Sequence, residues 1–328
     1  MFPLAEWIET HAGDRHDLAR SGMFGAIPEL RPGPADLRRA DAWELRRALA
    51  EDLGVEARRL FLTHGATEAN AAVLQYLARR HRGTRAVARA RFPEYGPLTD
   101  TARWTGFRLT QSVGPAAVAV ISLPRNPEGE LWDRERLLAW SAGARALLVD
   151  ETFREFAGTP SQVDLERPGV WVTGSFTKFY AADELRIGFV VAPEREASRY
   201  EVYHDLVFDQ VPRYSCAGAL RLLERRAEVR RAVESVLSAN RTAWSAAFPE
   251  RPVPVAPVSF DRTDRSGGDA LAERCLSASV LVCPGRFFGD PAGVRLCLTR
   301  RSFPQDLAAY LRVRDAPGPI TRRRAAGA

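Results

Sequence analysis

The stretch GSFTKFYAADELRIGF, residues 174–189, contains the only lysine of the chain, Lys178. The protein has 47 lysines and arginines, so the other 46 (47 − 1) are arginines. Arginine keeps its proton at ordinary pH, whereas a lysine amine loses its proton more readily when it is buried or lies near other cations. Only such an amine forms a Schiff base with an aldehyde or ketone. A lysine retained by chance in an arginine-rich composition is the competing interpretation, and the neighbouring residues decide between the two.

Length and composition place the chain among globular proteins. Its 328 residues suffice for one large domain or two moderate ones with a full hydrophobic core. The 45% hydrophobic and 27% charged residues are ordinary for such a protein. No stretch approaches the ~18 uncharged apolar residues of a membrane helix, and residues 1–14 carry acids but no basic segment of a secretory signal. We therefore expect a cytoplasmic protein with no membrane partner.

Cysteine spacing and charge limit the function classes further. Cys216, Cys275, Cys283 and Cys297 are scattered without a CxxC pair, which predicts neither a metal site nor a disulfide framework. The net charge of +6 and the pI near 9.5 are compatible with nucleic-acid binding. However, arginines alternate with acids along segments such as DLRRADAWELRRALAEDL (36–53), which is typical of a solvated helix face. We expect no nucleic-acid partner and instead an anionic cofactor or substrate.

The order of patterns predicts an α/β fold. Residues 45–235 alternate helical segments with short apolar or β-branched runs, which favours a large domain with a mostly parallel sheet. The predicted strands cover 59–63, 85–90, 107–112, 117–124, 145–151, 170–175 and 187–193. Residues 214–244 read as one long helical region, after which proline-rich and extended segments predict a smaller α+β domain. We assign residues 1–44, which carry little regular pattern, to this smaller domain together with residues 236–328.

The segment after the first predicted strand is suited to anion binding. Gly65, Ala66 and Thr67 end that strand and open a helix. Small residues let backbone N–H groups approach an anion, and the helix dipole favours negative charge there. Taken alone, the same residues are explained as an ordinary helix start.

Four more polar residues lie at or near the ends of predicted strands. Asn126 lies in a turn between two prolines, and Asp150 ends a strongly apolar strand, where a carboxylate needs a cationic partner. Lys178 follows the strand 170–175, and Arg186 comes eight residues later. In open α/β sheets, ligands collect at the carboxyl ends of the strands. An anion cradle, an asparagine, a sheltered aspartate, a lysine and an arginine together suit a phosphorylated aldehyde with a protonatable ring nitrogen, and pyridoxal 5′-phosphate (PLP) has these features.

Over nearly its whole length the chain resembles the PLP-dependent aminotransferases of class I and II, which have the PLP-dependent transferase type I fold. GATEA (65–69) resembles the phosphate loop, FPEYG (92–96) the turn whose aromatic residue stacks on the cofactor ring, and LPRNPEG (123–129) the asparagine turn. VDETF (149–153) resembles the aspartate element, and SFTK (175–178) followed by LRIGF (185–189) the lysine segment. The resemblance implies that Lys178 is the catalytic Schiff-base residue. The cofactor-binding residues it implies are Gly65, Ala66, Thr67, Tyr95, Asn126, Asp150, Phe153, Ser175, Thr177, Lys178 and Arg186.

The resemblance also implies a substrate site and a homodimer. DLARSGM (17–23) is similar to the family's N-terminal loop, and GVRLCLT (293–299) to the strand whose arginine binds the substrate carboxylate. The implied substrate-binding residues are Ser21, Gly22, Asn126 and Arg295. Arg20, Arg213 and Tyr214 are further candidates for the substrate side chain, each with a surface or packing role as the simpler interpretation.

Two positions depart from the family pattern. Phe153 stands where the family usually has a tyrosine, and Leu37 where it has the tyrosine that reaches the cofactor phosphate of the partner subunit. The first leaves Asn126 as the main partner of the ring hydroxyl, and the second weakens one contact of the expected dimer.

The expected reaction moves an amino group between an L-amino acid and a 2-oxo acid. TKFYA (177–181) and the D-E-x-F pattern (150–153) are similar to the threonine-phosphate decarboxylase branch, so an amino-acid decarboxylase is the alternative. A catalytically idle member of the fold is a third hypothesis, which the retained Lys178 and Asp150 disfavour.

Overall fold

The computed structural model describes residues 3–13, 16–23, 26–27, 42–80, 86–263 and 267–316. The helices are α1 (Pro3–Thr10), α2 (Ala42–Leu53), α3 (Ala66–Arg80), α4 (Gly96–Trp104), α5 (Arg134–Ser141), α6 (Arg154–Ala157), α7 (Glu194–Val207), α8 (Arg213–Glu224), α9 (Arg226–Ala247), α10 (Gly267–Ser277) and α11 (Phe303–Asp315). The strands are β1 (His16–Asp17), β2 (Leu60–Thr63), β3 (Val87–Arg89), β4 (Arg108–Thr110), β5 (Ala116–Ser122), β6 (Ala144–Asp150), β7 (Val170–Ser175), β8 (Gly188–Val191), β9 (Val258–Arg262), β10 (Val280–Leu281), β11 (Cys283–Pro284) and β12 (Gly293–Cys297).

Seven strands form the central sheet in the order β2-β8-β7-β6-β5-β3-β4. The pairs β7/β6, β6/β5, β5/β3 and β3/β4 are parallel. Strand β8 alone is reversed, since it runs antiparallel to both β2 and β7. The predicted mostly parallel sheet is therefore confirmed, and so is the α/β class.

Both faces of this sheet are buried, which explains its continuous apolar runs. Successive side chains of a strand point to opposite faces. Along β6, Leu147 and Val149 join one core cluster, whereas Ala146 and Leu148 join the other. Helices α3, α4 and α7 cover the second cluster, and α2, α5, α8 and α9 contribute to the first.

A smaller antiparallel sheet follows in the order β11-β12-β9. The N-terminal segment is attached to this region because β1 pairs in parallel with β10, with Asp17 opposite Leu281. The backbone N–H of Cys297 then donates to the carbonyl of Leu18 at 2.6 Å. This pairing brings the loop after β1 beside strand β12. The division into domains at residues 44/45 and 235/236 stays a prediction.

Two local features differ from the sequence expectations. The helical region predicted over 214–244 is two helices, because Arg225 leaves the helical conformation with φ −93° and ψ 11°. The N-terminal segment, in which no regular element is predicted, contains helix α1. Leu4, Trp7 and Ile8 recur at helical spacing, so the signal was present but short.

All four cysteines are buried, and none of them forms a disulfide. None of the helices in the described parts of the chain is long and apolar enough to cross a bilayer.

Candidate active site

The reversed strand β8 explains how the candidate residues converge. Strands β2 and β7 both flank β8, so Thr63 and Ser175 each lie opposite Gly188, the first residue of β8. The start of β8 therefore lies at the edge where its neighbours end. Arg186, just before β8, consequently reaches the same edge as Lys178, just after β7.

A cavity of about 380 Å³ opens at this edge. Eleven of the residues singled out from the sequence line it: Ser21, Ala66, Thr67, Tyr95, Asn126, Asp150, Phe153, Thr177, Lys178, Arg186 and Arg295. Three are not among its lining residues: Gly22, Gly65 and Ser175. The first two are glycines that act through the backbone. The Ser175 hydroxyl donates to Thr177 Oγ1 at 2.9 Å and accepts from the Thr177 N–H at 3.0 Å, so Ser175 supports a lining residue.

Asp150 presents a buried carboxylate to the cavity. Asn70 Nδ2 donates to one of its oxygens at 2.7 Å, and the Thr152 N–H donates to the other at 2.9 Å. Asn70 is itself oriented by Thr173, whose hydroxyl donates to the amide oxygen at 2.7 Å. Burial raises the pKa of Asp150, while these hydrogen bonds and the nearby Lys178 lower it. Such a carboxylate is suited to a cationic ring nitrogen.

Lys178 lies partly buried at the end of β7. Burial lowers the pKa of its amine, and the nearby Arg295 lowers it further, whereas Asp183 raises it. A lysine with a lowered pKa reaches its neutral, nucleophilic form at less cost.

Arg186 and the start of α3 form an anion cradle. The Arg186 guanidinium donates to the His64 carbonyl at 3.2 Å, and no carboxylate of the described residues lies within ion-pair distance of it. A Cβ at Gly65 would lie 2.8 Å from Arg186 Nη2, and one at Gly188 would lie 2.5 Å from the Gly65 carbonyl carbon. Glycine at both positions lets the guanidinium lie beside the first turn of the helix. The positive charge and the helix N-terminus together suit a phosphate.

Arg295 lies on β12, opposite Cys283 and Phe260 on the neighbouring strands. Its side chain is 2% exposed, and it donates to Asn126 Oδ1 at 3.2 Å and to the Ala19 carbonyl at 2.8 Å. Among the described residues no carboxylate pairs with it, and its Nε has no hydrogen-bond partner. A buried cation with a free donor at the wall of a cavity suits an anionic ligand.

Tyr95 and Asn126 are held by a buried network that sequence analysis missed. Glu94 is fully buried and pairs with Arg125 Nη1 at 2.5 Å. The Ser122 hydroxyl donates to Glu94 Oε1 at 2.5 Å, and it accepts from the Asn126 N–H at 2.8 Å. The network thereby ties the turn that carries Tyr95 to the turn that carries Asn126. Burial and the charge of Asp150 raise the pKa of Tyr95 to about 12, so this ring stays neutral.

Phe153 is buried and lines the cavity without a polar group. Its ring contacts Phe156 edge to face, with centroids 5.9 Å apart. Phe153 therefore offers no hydrogen-bond donor to the cavity, whereas Asn126, which also lines it, has a polar side chain.

Helix α1 supplies wall residues that were not predicted, namely Leu4, Ile8 and Glu9. The earlier candidates for the substrate side chain lie elsewhere. Arg20 donates to Asp17 Oδ2 at 2.9 Å, and Tyr214 is 63% exposed; neither these nor Arg213 line the cavity. Leu37 lies outside the described residues.

The sequence profile of the family "Aminotransferase class I and II" matches residues 37–303. The chain belongs to this family. Its cofactor is pyridoxal 5′-phosphate, as family membership and the neighbouring structures imply.

Curated relatives include aminotransferases and a decarboxylase. The chain is 31% identical over 186 residues to a histidinol-phosphate aminotransferase of Haloferax volcanii, an alignment that covers 54% of this chain and 49% of the relative. It is 29% identical over 176 residues to the threonine-phosphate decarboxylase of Salmonella typhimurium, covering 46% of this chain and 47% of that protein. The chain thus spans about half the length of these relatives.

A solved structure matches over almost the whole chain. A PLP-dependent aminotransferase from Streptococcus suis superimposes with a TM-score of 0.80 and covers 96% of this chain and 98% of its own. The identity is 20%, so the likeness is one of fold. The predicted type I fold is confirmed.

The residues of the cavity fit the cofactor. The Arg186 guanidinium pairs with no carboxylate of the described residues and lies beside the first turn of α3, which leaves its charge for a phosphate. The buried Asp150 carboxylate is available to a ring nitrogen, Tyr95 offers an aromatic face, and Lys178 a primary amine.

Proposed function

We propose that the protein is a PLP-dependent aminotransferase that moves an amino group between an L-amino acid and a 2-oxo acid. The observation that carries this proposal is that a single cavity is lined by Lys178, Asp150, Asn126, Arg186 and Arg295. These are the groups needed to hold the cofactor and the α-carboxylate of an amino acid.

Each residue has a separate role in this proposal. Arg186, Ala66 and Thr67 bind the phosphate, Asp150 keeps the ring nitrogen protonated, and Asn126 binds the ring hydroxyl. The bound cofactor supplies an electron sink for the charge that develops at the substrate α-carbon. Lys178 binds the cofactor and, as general base and acid, carries the α-proton on its Nζ. Its lowered pKa supports the base role, because a larger share of the amine is neutral near pH 7.

Transfer is favoured over decarboxylation by the charge around the carboxylate. Arg295 offers a buried positive charge, with Asn126 beside it. A carboxylate bound there is stabilised in its ground state, which opposes its loss as carbon dioxide. Removal of the α-proton is then the easier reaction.

An amino-acid decarboxylase of the threonine-phosphate decarboxylase type is the second candidate. The similarity to the Salmonella typhimurium enzyme is the observation that favours it. The two candidates differ in their products, so one experiment separates them.

The test is incubation of PLP-loaded protein with single L-amino acids plus a 2-oxo acid, followed by mass analysis of the products. We expect the 2-oxo acid of the donor and the amino acid of the acceptor. An amine and carbon dioxide would instead establish the decarboxylase.

Replacement of Lys178 by alanine tests its role directly. We expect the rate to fall by about 10²–10⁴-fold, because the proton-transfer group is lost. Lys178→Arg keeps the positive charge but has no nucleophilic amine. It should be as inactive as Lys178→Ala, which would show that the amine and not the charge is required. Turnover of either variant at the unmodified rate contradicts the proposal.

We also propose a homodimer, as the family resemblance suggests. An apolar part of α7 is exposed at Val202, Leu206 and Val207. Such a surface is typical of a protein–protein contact, which supports the proposed dimer. Light scattering after size exclusion tests this proposal, and a monomer mass would overturn it. The cytoplasmic location stays a prediction.

A further inference from the structure

Asn70 is a buried polar residue of α3 that the proposed function leaves without a role. It is 2% exposed and shares a helical face with Val73, Leu74 and Leu77, which are buried in the core cluster beneath α3. A buried amide in such an apolar face is costly unless it is hydrogen-bonded. The partners of Asn70 therefore indicate what it does.

Strands β6 and β7 place two partners of Asn70 side by side. Asp150 at the end of β6 lies opposite Thr173 of β7 in the parallel ladder. Leu148 and Trp171, two residues earlier in each strand, belong to the core cluster that α3 covers. Since side chains two residues apart in a strand point to the same face, Asp150 and Thr173 also face α3.

The hydrogen bonds run from Thr173 through Asn70 to Asp150. The Thr173 hydroxyl donates to Asn70 Oδ1 at 2.7 Å, and Asn70 Nδ2 donates to Asp150 Oδ2 at 2.7 Å. The hydroxyl thus holds the amide with its N–H groups toward the carboxylate. All three residues are buried, so little water competes for these bonds.

The donors that support the Asp150 carboxylate in this way are uncharged. Asn70 supplies an amide N–H to one oxygen, and Thr152 supplies its backbone N–H to the other at 2.9 Å. Such donors stabilise a carboxylate without a positive charge of their own. Asp150 therefore keeps its negative charge for a cationic ligand, whereas an arginine in place of Asn70 would pair with it.

The titratable groups that face Asp150 from other elements are Lys178, after β7, and Tyr95, at the start of α4, while Glu151 follows it in the chain. Burial raises the pKa of Asp150, and its hydrogen bonds and the charge of Lys178 lower it. Tyr95 stays neutral, because its pKa is raised to about 12. Lys178 binds the cofactor in the proposed function, so the Asn70 donor is the more constant support.

We propose that Asn70, oriented by Thr173, is a positioning residue that keeps Asp150 ionised beside the cofactor ring. This inference rests on the proposed function, in which Asp150 holds the ring nitrogen protonated. A proton shared by the carboxylate and the ring nitrogen stays on the ring while the carboxylate is well stabilised as an anion. Loss of the Asn70 donor moves this proton toward Asp150, and the ring then accepts less of the charge that develops at the substrate α-carbon.

Two NMR measurements on the full chain test this role. In the cofactor-free protein, the ¹³C resonance of the Asp150 carboxyl group is followed against pH. Asn70→Leu, which removes the donor at similar volume, should raise the pKa of Asp150 by about one unit or more, since a hydrogen bond to a charged group is lost. In protein loaded with PLP that carries ¹⁵N in the ring, the parent should show a protonated ring near neutral pH, and Asn70→Leu should shift the resonance toward the unprotonated value.

Thr173 provides a matched pair of variants, which also keeps the inference testable if Asn70→Leu fails to fold. Thr173→Val removes the hydroxyl and should shift both resonances in the same direction by a smaller amount. Thr173→Ser keeps the hydroxyl and should restore the parent values. Thr101→Val is the control, because the buried Thr101 hydroxyl donates to the Pro97 carbonyl within α4 and does not contact Asn70. It should leave both resonances unchanged.

Kinetics separate a positioning role from a merely structural one. In Asn70→Leu kcat should fall several-fold while KM for the amino acid changes little, because Arg295 is untouched. Unchanged resonances in Asn70→Leu and Thr173→Val, or equal shifts in Thr101→Val, overturn the inference even if transamination occurs. If the resonances shift as expected but no oxo acid forms, the role of Asn70 stands and the proposed function fails.

Discussion

Arg125 and Arg295 are two buried arginines with different partners. Arg125 pairs with Glu94 and also donates to the carbonyls of Arg91 at 2.9 Å and Pro93 at 2.6 Å. Arg295 donates only to neutral groups, and its Nε has no partner. Arg125 is therefore satisfied within the fold, whereas Arg295 is complete only with a ligand. The contrast teaches that a buried arginine can be fully paired within the fold in one place and keep an unpartnered donor at a cavity wall in another.

The largest effect should come from breaking the satisfied pair. Arg125→Met leaves the Glu94 carboxylate buried without its cation, which should lower the free energy of unfolding by about 3–5 kcal/mol. Urea denaturation measures this loss. Arg286→Met is the control, because Arg286 pairs with Asp269 at the surface and its loss should cost about 0–1 kcal/mol. If Arg125→Met and Arg286→Met lowered the free energy of unfolding equally, the buried Arg125–Glu94 pair would not stabilise the fold more than a surface pair does.

Replacing the unsatisfied arginine should affect binding instead of folding. Arg295→Met should weaken binding of the amino-acid carboxylate by about 10- to 100-fold, the value of a charge-assisted hydrogen bond. The free energy of unfolding should change less than in Arg125→Met, because no buried counter-charge is left behind. Calorimetric titration measures the affinity, and a decarboxylated amine analogue should be unaffected by the substitution. An unfolding penalty as large as that of Arg125→Met would contradict this reading.

A third buried charge can be tested through pH. Burial raises the pKa of Glu151 from its usual value near 4.5 to about 7. The folded state therefore holds a proton between these two values that the unfolded state has lost, so stability falls as the pH rises from about 4.5 to 7. The full penalty above pH 7 is about 3 kcal/mol.

Glu151→Gln removes the group that titrates. The variant should be more stable than the parent by about 2–3 kcal/mol at pH 8 and close to it at pH 5. Urea denaturation across this pH range measures the difference, with the exposed Glu273→Gln as the control. An unchanged pH dependence would show that Glu151 is not the group responsible.

The smallest effect concerns the loop that carries Asp183. Ala181 has a φ of 52°, in the left-handed region that favours glycine. Ala181→Gly should relieve ~1–2 kcal/mol of strain and lose ~0.8 kcal/mol of methyl burial, for a net gain of about 0.5 kcal/mol. Ala182→Gly, at the neighbouring buried residue with ordinary φ, should destabilise by about 1 kcal/mol. If both variants lost stability equally, the strain argument would be wrong.

Sequence analysis could find the groups whose position follows from strand order. Asp150 ends β6, and Asn126 and Lys178 lie in the turns that follow β5 and β7. Parallel strands end at one edge, so the convergence of these residues followed from topology. Arg186 was grouped with these residues because it follows Lys178 by eight positions, but the reversal of β8, which brings it to the same edge, was not predicted.

Other features of the site depend on tertiary contacts and escaped prediction. Asn70 lies within helix α3, where nothing local indicates that it reaches Asp150. Glu9 belongs to a helix of only eight residues that is placed by packing on Phe288. Gly22 and Ser175 were predicted from the motif but do not line the cavity. Whether such a residue reaches the cavity depends on how distant segments of the chain pack together, which residue type and local sequence do not reveal.

The pairing of the N-terminal segment with the late strands has a consequence for biosynthesis. The Ala19 carbonyl accepts from Arg295, a residue 276 positions later in the chain. The segment around Ala19 must therefore wait for the synthesis of Arg295 before it reaches its final contacts. A nascent chain that ends before β10 has the strands of the central sheet but neither Arg295 nor the partner strand of β1. Lys178, Asp150 and Arg186 are thus all synthesised well before Arg295, the remaining charged residue discussed at this cavity.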